Sequence, residues 1–275
     1  MRCVTGLRAL VAGVVMLVIS GPGAAAATCS GTAGPSGQVD LKVGEALRTF
    51  VVRVPKTDTQ TPAPVVFLFH PFGMNTQYMQ GRVPVPRAWP DAIAIYGQGM
   101  PRFGGGAVSL QPSWQTRVGD MDDRDLAYFD AMLDWVRKNH CIDEKRVFVM
   151  GYSNGANFTS VLACERASAI AGVAIASGAL SCTPPAAKPV ILSHGMSDPT
   201  IRYERAIEAA SAWTSRNGCT APPKNGAPGC FMAGSCSAAP VALCSYDGGH
   251  EYNDSFTKTL TDFLKTVNPN QAIAR

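Results

Sequence analysis

Charge is scarce in this chain: 16% of its 275 residues are Asp, Glu, Lys or Arg, and 24 basic against 20 acidic residues leave a formal net charge of +4. Lys and Arg form no cluster, so nothing in the charge pattern points to nucleic acid. No Cys-x-x-Cys pair or Cys/His cluster occurs, so no metal site is expected. No apolar run reaches the roughly 20 residues that cross a bilayer. Heptads and Gly-X-Y repeats are lacking, which excludes a coiled coil or a collagen. Hydrophobic residues make up 46% of the chain, too many for disorder. The 20 prolines and 27 glycines are nowhere gathered into a linker, so one domain is expected.

The start of the chain reads as an export signal. Arg2 and Arg8 precede the uncharged run from Ala9 to Ile19, Gly21-Pro22-Gly23 breaks it, and Ala24 to Ala27 offer a cleavage site. Residues 1–27 are therefore expected to be a signal peptide and 28–275 the domain, a secreted protein with no membrane contact once the signal is cut. Cysteine usage agrees. Beyond Cys3, eight cysteines remain, at 29, 141, 164, 182, 219, 230, 236 and 244, an even number that suits disulfides in an oxidising compartment. The Gly/Pro/Ala-rich stretch from Gly218 to Cys244 holds four of them and needs cross-links to stay ordered. Cys219–Cys244 enclosing Cys230–Cys236 is expected there, with Cys164–Cys182 and Cys29–Cys141 elsewhere.

Between these ends, strands and helices alternate. Apolar, β-rich runs occupy Phe50–Val54, Val65–His70, Ala92–Tyr96, Val147–Met150, Gly172–Ala176, Val190–Ser193 and Val241–Tyr246. Several are continuously apolar, as in parallel strands covered on both faces. Leu126, Phe129, Leu133 and Val136 mark a helix over Asp122–Asn139. Ile207, Ala210 and Trp213 mark one over Tyr203–Arg216, and Phe256, Leu260, Phe263 and Leu264 mark a last one. The pattern predicts an α/β protein with a mostly parallel central sheet and helices on both faces.

The chemistry is concentrated at Gly151-Tyr152-Ser153-Asn154-Gly155. This Gly-x-Ser-x-Gly follows an apolar strand and precedes a helical run, the context in which a sharp turn lifts the serine hydroxyl above the sheet edge. A serine nucleophile needs a base, and the base an orienting carboxylate. In this fold the chain order is Ser, acid, His. Asp198, in the loop after Val190–Ser193, is the candidate acid, and His250 is the one histidine that follows it. His140 and His194 receive structural readings, at a helix end and within the Asp198 loop. Pro71 has no N–H to donate, so Phe72 and Asn154 are the expected oxyanion donors.

These residues give the chain a resemblance to the secreted esterase family that contains polyhydroxybutyrate depolymerases and feruloyl esterases. Ser113-Trp114-Gln115, Asp123-Arg124-Asp125, Cys141-Ile142-Asp143, Arg146-Val147-Phe148, the Gly151–Gly155 elbow, His194-Gly195 with Asp198, and Gly248-Gly249-His250 carry it. The resemblance implies an α/β-hydrolase fold in a single domain and ester hydrolysis through an acyl-enzyme, with no metal or organic cofactor. It places Ser153, Asp198 and His250 at the family's triad positions. Two departures stand out: His70-Pro71 where the family reads His-Gly, and Glu251-Tyr252-Asn253 after His250 where many feruloyl-type members read x-Trp-Pro. The expected substrate is an ester, polymeric in origin, with feruloyl (hydroxycinnamoyl) esters of plant cell-wall polysaccharide first. Polyhydroxybutyrate oligomers and acetylated xylan follow, and a serine peptidase or a non-catalytic binding protein are the readings outside esterases. Trp114, Tyr152 and Tyr252 are the aromatic residues expected to line the substrate site.

Overall fold

The computed structural model describes residue 1 and residues 34–55, 61–103 and 108–267. The expected export signal and the Cys29 half of the Cys29–Cys141 bridge lie outside the described residues. Eleven strands are described: β1 (Gly37–Val43), β2 (Ala46–Arg53), β3 (Ala63–Phe69), β4 (Ile93–Gly97), β5 (Met100–Arg102), β6 (Gln111–Ser113), β7 (Ile142–Tyr152), β8 (Gly172–Ala176), β9 (Val190–Gly195), β10 (Gly229–Met232) and β11 (Val241–Tyr246). The α-helices are α1 (Thr76–Arg82), α2 (Val85–Ala88), α3 (Arg124–Asn139), α4 (Asn154–Glu165), α5 (Glu204–Arg216) and α6 (Phe256–Lys265).

Nine strands form one sheet in the order β1-β2-β4-β3-β7-β8-β9-β11-β10. From β4 to β11 every neighbour is parallel, while β1, β2 and β10 run antiparallel at the two edges. The continuous apolar runs follow from this: alternate side chains of each central strand enter opposite cores. Phe67, Phe69, Val147, Val149, Val173 and Leu192 pack with α3, α4 and α5, through Phe129, Phe158 and Trp213 among others. Val66, Leu68, Phe148, Met150, Ala174 and Ile191 pack with α1, α2 and α6, through Met79, Val85 and Leu260. The architecture is α/β with helices on both faces, as the alternation of elements predicts.

Two sequence expectations need correction. Helix α3 begins at Arg124, not Asp122, because Met121, Asp122 and Asp123 take left-handed φ values of 54°, 55° and 53°. The Asp123 carboxylate holds that turn by accepting from Gln115 Nε2 at 2.7 Å and from the Gly119 N–H at 2.8 Å. The helix is capped from elsewhere: Gln115 Oε1 accepts the Asp125 and Leu126 N–H groups at 3.1 and 3.2 Å.

The disulfides in the Gly218–Cys244 stretch also pair differently. Antiparallel register sets Cys230 opposite Cys244, and an isolated bridge sets Cys219 opposite Cys236. The bonds are Cys230–Cys244 and Cys219–Cys236 in place of the nested pair. Cys164–Cys182 forms as expected.

The sheet gathers its functional groups at one edge. Ser153 follows β7, Asp198 follows β9, His250 follows β11 and Phe72 follows β3. All four lie beyond the carboxyl ends of parallel strands, where open α/β sheets bind their ligands.

Candidate active site

The turn at Ser153 is built by what its neighbours lack. A Cβ on Gly151 would lie 2.1 Å from the Gly155 carbonyl oxygen, and one on Gly155 would lie 2.1 Å from the Phe69 carbonyl oxygen. Backbone occupies both positions, so strand, turn and helix close on each other only with glycine there. Ser153 carries the backbone strain of the turn, with φ 55° and ψ −118°. Its N–H is held by the Ala176 carbonyl at 2.9 Å, and the hydroxyl stands at the start of α4.

Ser153 Oγ lies 2.7 Å from His250 Nε2, and His250 Nδ1 lies 2.7 Å from Asp198 Oδ2. Nδ1–H donates to the carboxylate, which leaves Nε2 to accept the serine proton. An imidazole fixed in this tautomer can act chemically as a base toward that hydroxyl. Asp198 is itself fixed: Oδ1 accepts the Thr200 and Ile201 N–H groups at 2.8 and 2.9 Å. The loops carrying Asp198 and His250 are packed without clearance, since a Cβ on Gly195 would lie 2.3 Å from the Gly249 carbonyl oxygen. The Ser197 N–H donates to the Gly248 carbonyl at 2.9 Å.

Buried beside the carboxylate, His194 presents Nε2 at 2.7 Å from the Ile201 carbonyl oxygen and 3.2 Å from Asp198 Oδ2. Burial lowers its pKa, so it steadies the Asp198 loop as a neutral donor. His70 has the same character at the other side of the site. Its Nδ1–H donates to the Pro71 carbonyl at 2.8 Å, and Nε2 accepts the Gly99 N–H at 2.9 Å. Burial pushes its pKa down to about 4, against the opposing pull of the Pro71 carbonyl. A neutral His70 thus shapes the Pro71-Phe72 loop, and the Gly73 N–H donates to the Pro112 carbonyl at 2.8 Å. Among the described residues, the backbone N–H groups of Phe72 and Asn154 donate to no protein acceptor.

The three aromatic residues expected to line the substrate site are all buried in this structure. Trp114 is fully enclosed, its indole nearly parallel to the rings of Phe158 and Tyr128. Tyr152 stacks beside His250 with ring centroids 5.8 Å apart, and its hydroxyl donates to the His250 carbonyl at 3.1 Å. Tyr252 turns inward against Phe256 and bonds Thr257 through its hydroxyl. Trp114 packs on Phe158 of α4 and Tyr252 on Phe256 of α6, so both rings complete the core beneath the loops. Two further polar residues, Arg48 and Asp125, form a fully buried ion pair at 2.9 Å, and Asp125 also accepts the Gln115 N–H at 2.8 Å. Asp125 belongs to the Asp123-Arg124-Asp125 motif, but Arg48, on β2 and 77 residues away, carried no sequence signal linking it there. Among the described residues, no group of acids, cysteines and histidines is arranged to hold a metal.

Fold and elbow define the class: this is an α/β-hydrolase. The profile of the dienelactone hydrolase family matches residues 109–219. Feruloyl esterase D of Neurospora crassa is 32% identical over 218 residues, covering 74% of this chain and 72% of that protein. Feruloyl esterase C of Emericella nidulans is 31% identical over 165 residues, covering 54% and 59%. The chain spans about three-fifths of the length of that relative. Among solved structures, the acetyl xylan esterase of Aspergillus awamori superposes with a TM-score of 0.63 at 14% identity, over 83% of this chain and 99% of that one. The chain belongs to the family of α/β-hydrolase esterases that includes the feruloyl esterases.

Proposed function

We propose that the protein is a secreted serine esterase whose triad is Ser153, His250 and Asp198. The observation that carries this reading is the unbroken line of hydrogen bonds from Ser153 Oγ through the His250 ring to Asp198, with 2.7 Å at each step. Ser153 Oγ attacks the ester carbonyl as His250 Nε2 takes its proton. The tetrahedral oxyanion is received by the N–H groups of Phe72 and Asn154. His250 then returns the proton to the leaving alcohol as the acyl-enzyme forms, and water reverses the sequence with the same base. Asp198 keeps the imidazole in the working tautomer and stabilises the imidazolium.

The substrate class proposed is feruloyl (hydroxycinnamoyl) esters of plant cell-wall polysaccharide, supported by the curated relatives named feruloyl esterase. Export is supported by the three disulfides among the described residues.

The test is a panel of p-nitrophenyl acetate, methyl ferulate, a 3-hydroxybutyrate oligomer and a peptide amide, given to wild type and to Ser153→Ala. Methyl ferulate turnover that vanishes in Ser153→Ala is expected. Preference for the amide, or equal ester turnover by both proteins, refutes the reading.

A further inference from the structure

Trp114 sits between the two chain segments that carry the proposed oxyanion donors, and it is bonded to both. On one side its backbone N–H donates to Asn154 Oδ1 at 2.8 Å, while Asn154 Nδ2 donates back to the Trp114 carbonyl at 3.1 Å. On the other side the indole Nε1–H donates to the His70 carbonyl at 2.9 Å. Asn154 carries one proposed donor on its own backbone, and His70 lies two residues before Phe72, which carries the other. The strand leading into Trp114 adds a third tie through the Pro112 carbonyl and the Gly73 N–H at 2.8 Å.

We infer that Trp114 is a positioning residue, a strut that sets the distance between the Phe72 and Asn154 N–H groups. The inference rests on the esterase reading above and adds a residue to it. The packing suits a strut. The indole lies at 6° to the Phe158 ring with centroids 5.3 Å apart and at 10° to Tyr128, and it is edge-on to Phe69 at 5.0 Å. A ring held on three sides transmits position instead of absorbing it. Its length is also in use, since a Cβ added to Gly97 would lie 3.1 Å from the far edge of the indole. A donor displaced from the oxyanion costs turnover without weakening ground-state binding, because the charge it answers develops only in the transition state. Trp114 touches no reacting atom, so its removal leaves the base and nucleophile in place.

The test uses Trp114→Phe, which keeps an aromatic ring and deletes the indole N–H, with Asn154→Ala as the second variant, which deletes both clamps and keeps the backbone donor. Active sites are counted with a fluorophosphonate, so that misfolded protein does not enter kcat. The expected result for each variant on p-nitrophenyl acetate is a kcat per titrated site about 10- to 100-fold lower, bounded above by the roughly 10²–10³ of losing a donor outright. KM should stay within about threefold. Affinity for phenylboronic acid, which forms a tetrahedral adduct with the serine, should fall by the same factor as kcat, and the pH profile should not move. If Trp114→Phe does not fold, Asn154→Ala decides on the same readouts. Unchanged kcat per site and unchanged boronate affinity overturn the strut while the esterase stands. A loss confined to KM does so equally. Wild type that neither labels nor hydrolyses the ester overturns the esterase reading, and the strut with it.

Discussion

His70 makes the fold sensitive to acid in a defined window. The side chain has no exposed surface, and burial holds its pKa near 4, against 6.5 for a free imidazole. An unfolded chain therefore takes up a proton at this residue near pH 6.5, whereas the folded one refuses it until about pH 4. Stability contributed by the neutral ring is fully present above 6.5, is lost progressively as pH falls from 6.5 toward 4, and is exhausted below. The difference corresponds to roughly 3 kcal/mol at about 1.4 kcal/mol per pH unit. At about 2–4 °C per kcal/mol for a domain of this size, Tm should drop about 6–12 °C from this group. Carboxylates also titrate in this range, so the assay is the difference between wild type and His70→Gln, measured by calorimetry from pH 7.5 to 4. The His70→Gln substitution lowers Tm at neutral pH by a constant amount, and the gap between the two curves should narrow steadily as acid is added. Parallel curves would refute a buried, neutral His70. In the folded enzyme the ring takes up its proton only near pH 4, and only there should ester turnover suffer from this residue, since a protonated ring cannot accept the Gly99 N–H and the Phe72 loop loses its anchor.

Other expected outcomes follow from the same geometry. Ser153→Ala should lower kcat for esters by about 10⁴ or more with little change in Tm, measured with p-nitrophenyl acetate. Gly195→Ala forces apart the loops of Asp198 and His250, and kcat/KM should fall on the order of 10²-fold, as for a displacement near 1 Å. Arg48→Met leaves the buried Asp125 carboxylate with only the Gln115 N–H and the more distant Arg124 Nε at 3.9 Å, so urea unfolding should show a loss of about 3 kcal/mol. Excess reductant should lower Tm by opening Cys230–Cys244 and Cys219–Cys236, which close loops of 14 and 17 residues, each contributing about 3 kcal/mol.

The central sheet was legible in the sequence because strands buried on both faces must be apolar throughout, as Val65–Phe69 and Val147–Met150 are. Strand β1 was not, since on this half-exposed edge Val39, Leu41 and Val43 alternate with Gln38, Asp40 and Lys42 and form no continuous apolar run. The elbow and the choice of His250 among four histidines followed from chain order, a one-dimensional property. Disulfide pairing depended on the register between β10 and β11, which composition does not encode. Trp114 and Tyr252 illustrate a further limit. Position near an active edge says nothing about which way a ring turns, and core packing took both rings inward.

The most direct measurement is rapid quenching of the reaction with p-nitrophenyl ferulate in acid, followed by peptide mass spectrometry. A feruloyl group on the peptide that contains Ser153, accumulating within the first turnover and much more slowly in His250→Ala, is the predicted result. Ester hydrolysis that proceeds with no adduct on that peptide, or with the acyl group on another residue, would contradict the account.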